Sequence, residues 1–416
     1  MNKMDTIERG GFSQERLGRL SKVLQGFVER GELAGIVALI HRHGEEAHIE
    51  TAGWQDKEAE IPMKRDTIFR IASMTKPIVA AAALTLVEEG KIRLYDPLDA
   101  WLPELAKQMV MRDPGGSPDD VYPSPRSITL HDLLTYCIGI GWGNSSLRPR
   151  IFALTAGPVA DALQIPNLEH LGYDEWLARI GEFPLVYEPG ERWMYQVSSE
   201  ILGILISRIA GKSLETFLFE CLFNPLGMVD TSFSVAPEKR NRLATLYAPG
   251  PDGGLTVRDH ASSTNWAEPP IFQSAASGLV STIDDFQRFG RMLLNQGELD
   301  GVRILSRKTV EAMTTDYLTP EQHTHPFGNF DRCDADRSNM WTNWGFGYGV
   351  AVRNRRIGLG PGVGSFFWPG AFGTTWIADP QEQLVATLLP QFVGVNPFYT
   401  QVGEDFLAMT YQAIAD

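Results

Sequence analysis

The chain has 416 residues, 43% of them hydrophobic and 21% charged, enough for a sizeable buried core and for two lobes. Its net charge of −14 argues against nucleic acid or an anionic membrane as a partner, because both would repel it. Three widely spaced cysteines, Cys137, Cys221 and Cys333, argue against a disulfide framework or a thiolate zinc site.

The first residues, Met1 to Thr6, carry no apolar segment of signal-peptide type, and no apolar run reaches membrane-spanning length. The expected location is therefore the cytoplasm. Ser13 reads as a helix N-cap, with Leu17, Leu20, Leu24, Phe27 and Val28 at helical spacing up to Gly31. Ala34–Ile40 and Ala47–Ala52 read as strands around a His43-Gly44-Glu45 turn. Arg70-Ile71-Ala72-Ser73-Met74-Thr75-Lys76-Pro77 then runs into an apolar helix, Ile78–Val87, ended by Gly90.

From about Leu94 to Ser277 helical patterns dominate: Leu130–Tyr136, Glu175–Gly181, Ser199–Ile209 and Leu214–Phe223, between Pro- and Gly-rich loops. A further helix follows Ser281 and runs to Leu294. Strand patterns return at Gly347–Val352, Gly373–Ala378 and Leu384–Leu389, and a helix near Gly403–Ala413 closes the chain. This order predicts an α/β fold of α+β type, with an antiparallel sheet built from both chain ends and flanked by helices. Residues 1–93 and 278–416 would form that domain, 94–277 an inserted, mostly helical one, and the cleft between them the site.

Ser73 and Lys76 lie three residues apart at a helix start, so the amine can reach the hydroxyl on one helix face. The positive helix end favours negative charge developing beside Ser73. Pro77 is tolerated because a first-turn position needs no N–H. Ser73 thus reads as the nucleophile of an acyl-transfer enzyme.

Four further stretches carry a resemblance: Thr129-Leu130-His131-Asp132-Leu133-Leu134-Thr135-Tyr136, Pro189-Gly190-Glu191-Arg192-Trp193-Met194-Tyr195, Asn224-Pro225-Leu226-Gly227-Met228, and Ser277-Gly278-Leu279-Val280-Ser281-Thr282 with Asp285. With Ser73–Lys76 they resemble, in order and over nearly the whole chain, the serine β-lactamase-like and penicillin-binding-protein superfamily on its class C and esterase side. The resemblance implies a β-lactamase/transpeptidase-like fold and a catalytic tyrosine at Tyr195 rather than Tyr187. Ser198 or Ser199 would cap the following helix. A phenol beside a buried ammonium would lose its proton readily and share it with Lys76.

Two departures narrow the activity. Val197 stands where the family's tyrosine motif ends in asparagine. Trp368-Pro369-Gly370, followed by Ala371, stands where β-lactamases place Lys-Thr-Gly. Trp and Pro cannot hold a substrate carboxylate, a loss on the order of 2–4 kcal/mol. The N–H groups of Ser73 and Ala371 would still form an oxyanion hole, with Trp368 and Gly370 lining the substrate site. A tryptophan-containing replacement is similar to the esterases often called family VIII and to related acyltransferases. The implied activity is serine carboxylesterase chemistry on a small-molecule ester, with a β-lactamase, a D-alanyl-D-alanine peptidase or a dedicated acyltransferase as rivals. Trp142, Trp193, Trp344, Phe346 and Trp368 would wall an apolar pocket. No cofactor or metal is implied: there is no G-x-S-x-G elbow, dinucleotide fingerprint or P-loop, and His41/His43 and His323/His325 read as surface pairs.

Overall fold

The computed structural model describes residues 7–143, 145–155, 171–323, 343–356, 358–394 and 400–416. His325 and Cys333 lie outside the described residues.

Helix α1 (Gln14–Glu29) starts where Ser13 Oγ accepts the Arg16 N–H at 3.3 Å, and buries Leu17, Leu20, Leu24 and Phe27. Strands β1 (Gly35–Arg42) and β2 (Glu45–Asp56) pair across a turn in which His43 and Gly44 both have positive φ, the twist that suits a two-residue hairpin. A short β3 (Ile61–Pro62) follows. Helix α2 (Thr75–Glu88) is buried at every position from Thr75 to Leu86. A helix apolar on all sides must sit inside the protein, and α2 does.

The middle of the chain supplies α3 (Leu130–Leu134), α4 (Arg148–Thr155), α5 (Tyr173–Gly181), α6 (Val197–Ala210) and α7 (Leu214–Leu218), with two small two-stranded sheets. Then come α8 (Ile283–Leu294), β4 (Trp344–Phe346), β5 (Ala351–Arg353), β6 (Phe366–Phe367), β7 (Thr375–Asp379), β8 (Leu384–Pro390) and α9 (Gln401–Gln412).

The main sheet has eight strands in the order β4-β5-β6-β7-β8-β1-β2-β3, and every neighbouring pair is antiparallel. The two chain ends meet where β8 pairs with β1 from Leu384↔Arg42 to Pro390↔Ile36. Because side chains alternate across a strand, Ile36, Ala38 and Ile40 pack with α1 and α9, while Val37 and Leu39 join α2 and α8. That second core continues through Leu133 and Leu134 of α3 into Ile201, Leu202 and Ile204 of α6. The expected antiparallel α/β fold is the one observed.

Two local expectations fail. Gly347–Val352 is not one strand: Gly347 N–H bonds Val350 O at 2.8 Å, closing a turn between β4 and β5. Gly349 permits this, having φ +74° and a position where a Cβ would stand 2.6 Å from Ala80 of α2. Nor does Ser198 or Ser199 cap α6, whose N-cap is Gln196 without a side-chain bond. The Ser199 hydroxyl donates instead to Tyr136 Oη at 2.7 Å.

Candidate active site

Three buried residues bend the backbone where functional side chains must be presented. Among the non-glycine residues with positive φ, His43, Glu60, Lys107, Gln296, Asp300 and Gln383 are exposed, whereas Ala72, Tyr136 and Gln196 are buried. Ala72 (φ 44°) precedes Ser73; Gln196 (φ 82°) follows Tyr195; the Tyr136 ring (φ 61°) packs against Tyr195 with centroids 6.2 Å apart. Such conformations cost on the order of 1–3 kcal/mol each and persist only when the surroundings enforce them.

Ser73 sits in the short turn Ala72–Met74 that enters α2, and Lys76 lies one turn on. Lys76 Nζ is 3.0 Å from Ser73 Oγ, 3.0 Å from Gln196 Oε1 and 2.7 Å from Ala276 O. The Tyr195 hydroxyl donates to Ser73 Oγ at 2.7 Å, and the Trp368 indole N–H donates to Tyr195 Oη at 3.2 Å. Two side chains from distant stretches, Lys76 and Tyr195, therefore meet at the Ser73 hydroxyl, and Trp368 reaches it only through Tyr195.

The loop before α6 holds the tyrosine by its backbone. Met194 N–H bonds Tyr136 O at 2.8 Å, and Tyr195 O accepts from Trp142 N–H at 2.8 Å and Val197 N–H at 3.2 Å. The last bond closes a γ-turn on Gln196, whose φ 82°, ψ −61° suits that turn. Gln196 Nε2 donates to Thr155 O at 2.9 Å, which fixes the amide so that its oxygen faces Lys76.

The geometry around Lys76 is directional. Two of its three partners, the Gln196 and Ala276 oxygens, only accept hydrogen bonds and occupy two N–H groups. A neutral amine has two such groups and one lone pair, and the remaining direction is Ser73 Oγ. Burial pushes the Lys76 pKa down, opposed by the Glu200 charge. Burial also pushes Tyr195 up, opposed by its bonds to Ser73 and Trp368. The readily deprotonated phenol expected from the sequence is therefore not found. Lys76 Nζ lies over the ring face, 4.4 Å from the centroid, yet burial raises the pKa of the phenol. The arrangement favours loss of the Ser73 proton to the amine, with a neutral phenol donating to the same oxygen.

Trp368, expected to line the substrate site, is buried among Tyr136, Trp193, Tyr195 and Phe346. The Trp193 ring stacks on Tyr195 at 5.8 Å and 8°. Of the aromatics expected to wall a pocket, Trp193, Trp344, Phe346 and Trp368 are buried and Trp142 is half-buried, edge-on to Tyr195 at 5.6 Å. Gly370 packs on the backbone leading into Ser73: a Cβ there would stand 2.4 Å from Ile71 O and 2.2 Å from Thr374 Oγ1. Ala371 follows on the same turn and is partly buried.

Sequence reasoning passed over Gln196 and Glu200. The signal for Glu200 was available, since it is a single carboxylate in a stretch of α6, Val197–Ile206, that is otherwise apolar or hydroxylic and is buried throughout. Its carboxylate accepts the Ser274 hydroxyl at 2.6 Å and the Ala276 N–H at 3.3 Å. Gln196 had no comparable signal, because its amide reaches Lys76 only through the strained turn. Among the described residues no group of three or more His, Cys, Asp or Glu is placed to hold a metal, and no helix is long and apolar enough to cross a membrane. His41 is bonded to Gln287 at 3.1 Å, while His43 is exposed beside Asp416.

Known proteins resemble this chain over most of its length. The sequence model described as Beta-lactamase matches residues 20–401. An uncharacterized protein of Mycobacterium tuberculosis is 39% identical over 370 residues, covering 87% of each chain. Esterase EstB of Burkholderia gladioli is 30% identical over 391 residues, covering 89% of each, and lovastatin esterase of Penicillium rubens is 29% identical over 336, covering 78% of this chain and 79% of its own. The solved structure titled "EstCE1, a hydrolase with promiscuous acyltransferase activity" superposes with a TM-score of 0.75 at 22% identity, covering 97% of this chain and 99% of that one.

Proposed function

This chain belongs to the Beta-lactamase family, and from that premise we propose that it is a serine carboxylesterase. It cleaves small carboxylic esters through an acyl-enzyme on Ser73 and passes the acyl group to water or to an alcohol. The observation that carries this reading is the contact set at Ser73 Oγ, with Lys76 Nζ at 3.0 Å and Tyr195 Oη at 2.7 Å. The names of EstB and lovastatin esterase support the ester as substrate. In this reading residues 94–277 form the helical lobe that carries Tyr195, and the cleft against the sheet domain receives the ester.

The proton path follows from the donors. Neutral Lys76 takes the Ser73 proton as Oγ attacks the ester carbonyl, and the oxyanion rests on the N–H groups of Ser73 and Ala371. The ester C–O bond breaks, and the alcohol leaves with the Tyr195 proton. The Lys76 ammonium under the ring stabilises the phenolate for as long as it exists. Water or a second alcohol then attacks the acyl carbon and returns a proton to Tyr195. Ser73 leaves the acyl group and recovers its own proton from Lys76.

A β-lactam or D-alanyl peptide is disfavoured, because Trp368, which by the family resemblance stands where β-lactamases place Lys-Thr-Gly, is a buried indole without charge. The test compares short- and long-chain p-nitrophenyl esters with nitrocefin, for wild type and for Ser73→Ala, Lys76→Ala and Tyr195→Phe. Ester turnover lost in all three variants is the expected result; turnover of nitrocefin faster than of every ester would overturn the assignment.

A further inference from the structure

Glu200 is a fully enclosed carboxylate that plays no part in the proton path above, although it belongs to the same helix turn that follows Tyr195. Its partners connect it to the site. Ser274 Oγ donates to one carboxylate oxygen at 2.6 Å and Ala276 N–H to the other at 3.3 Å. The carbonyl of the same Ala276 accepts from Lys76 Nζ at 2.7 Å. One residue of one turn thus faces the carboxylate with its N–H and the amine with its C=O.

That turn is held rigidly. Ser277 N–H bonds Ser274 Oγ at 3.1 Å, Gly278 N–H bonds Ser274 O at 2.9 Å, and Leu279 N–H bonds Thr75 Oγ1 of α2 at 3.2 Å. Gly203 of α6 lets it approach closely, since a Cβ there would stand 2.5 Å from Ala275 Cβ. Burying a carboxylate is costly even with the two hydrogen bonds that Glu200 accepts here.

We propose that Glu200 is a positioning residue that sets the charge state of Lys76, through its own charge and through the Ser274–Ser277 turn, and so fixes the lowest pH at which Ser73 can be activated. This rests on the reading of Lys76 as the base for Ser73. The titratable groups that bear on the pair are Tyr195 from the preceding loop, Tyr136 after α3 and Tyr173 at the start of α5, and burial raises the pKa of all three phenols. None of them carries charge at neutral pH, which leaves Lys76 and Glu200 as the charges that interact. Burial pushes Glu200 up and Lys76 down, so the two titrate as a unit. An ionised Glu200 holds the proton on Lys76; removing that charge releases it.

The experiment follows Ser73 labelling by a fluorophosphonate as a function of pH, for wild type, Glu200→Gln and Ser274→Ala. This probe needs only an activated serine and is independent of the ester assignment. The midpoint of the acidic limb is expected to fall by about one pH unit in Glu200→Gln. Ser274→Ala removes a donor that favours ionised Glu200, so its midpoint is expected to fall in the same direction by less. Ser274→Ala also decides the matter should Glu200→Gln not fold. Midpoints that stay within error of wild type in the folded variants would overturn the proposal and leave Glu200 a packing residue. Wild type that cannot be labelled on Ser73 at any pH would overturn the nucleophile, and this inference with it.

Discussion

Trp368 donates its indole N–H to the Tyr195 hydroxyl at 3.2 Å, from a position with no exposed surface. The residue that, by the family resemblance, stands where β-lactamases place Lys-Thr-Gly is thus hydrogen-bonded to the phenol. Removing the donor in Trp368→Phe forfeits about 1 kcal/mol, so kcat on a p-nitrophenyl ester is expected to fall about five-fold with KM little changed. A large rise in KM instead would show that the indole touches substrate.

The reverse substitution is informative. Trp368→Lys places an ammonium among Tyr136, Trp193, Tyr195 and Phe346, and such a buried, unpaired charge costs about 3–5 kcal/mol. A thermal melt is expected to show a large loss of stability and nitrocefin assays no gain. A stable variant that binds β-lactams would mean that the site opens onto the cleft.

Gln196 combines a strained backbone with a contact to Lys76. Gln196→Gly and Gln196→Ala both delete the amide, but only glycine relieves the positive φ. Both variants are expected to lose ester turnover, while the glycine variant melts higher, by about 1 kcal/mol of stability. Equal melting temperatures would show that the turn is not strained.

The pH dependence has a definite sign. In the proposed mechanism the base is the neutral form of Lys76, and burial lowers its pKa from the ordinary lysine value, so kcat/KM is expected to rise with pH through an acidic limb well below the lysine range. Because burial raises Tyr195, no alkaline fall is expected near the ordinary phenol pKa. A profile that falls between neutrality and that value would assign the phenol a different resting state.

Gly370 supports Ser73 by letting two backbones touch. In Gly370→Ala the new methyl would meet Ile71 O at 2.4 Å, displacing the segment that leads into Ser73. Displacements of this kind are expected to reduce kcat/KM by about 100-fold, readable against an unchanged circular dichroism spectrum. An active variant would show that this approach is dispensable.

What could be read from the sequence follows from how local each signal is. Ser13 and the periodic leucines marked α1, and the His43-Gly44 turn marked the β1–β2 hairpin, because caps and tight turns need particular residues. Ser73 and Lys76 were legible because three residues on a helix is a fixed geometry. The β4–β5 turn was not, since its glycines follow the packing of Gly349 on α2, which no local pattern records. The inert role of Trp368 toward solvent and the amide of Gln196 were hidden for the same reason: both depend on contacts across more than a hundred residues of chain.

The most direct measurement is mass spectrometry of the protein quenched during turnover of a slowly released p-nitrophenyl ester, with the peptide that carries Ser73 isolated. The acyl group is expected on Ser73 in wild type, with label and turnover both absent in Ser73→Ala. Ester hydrolysis at an undiminished rate in Ser73→Ala, or an acyl group found on another residue, would contradict the meeting of amine and phenol at that hydroxyl as the source of the chemistry.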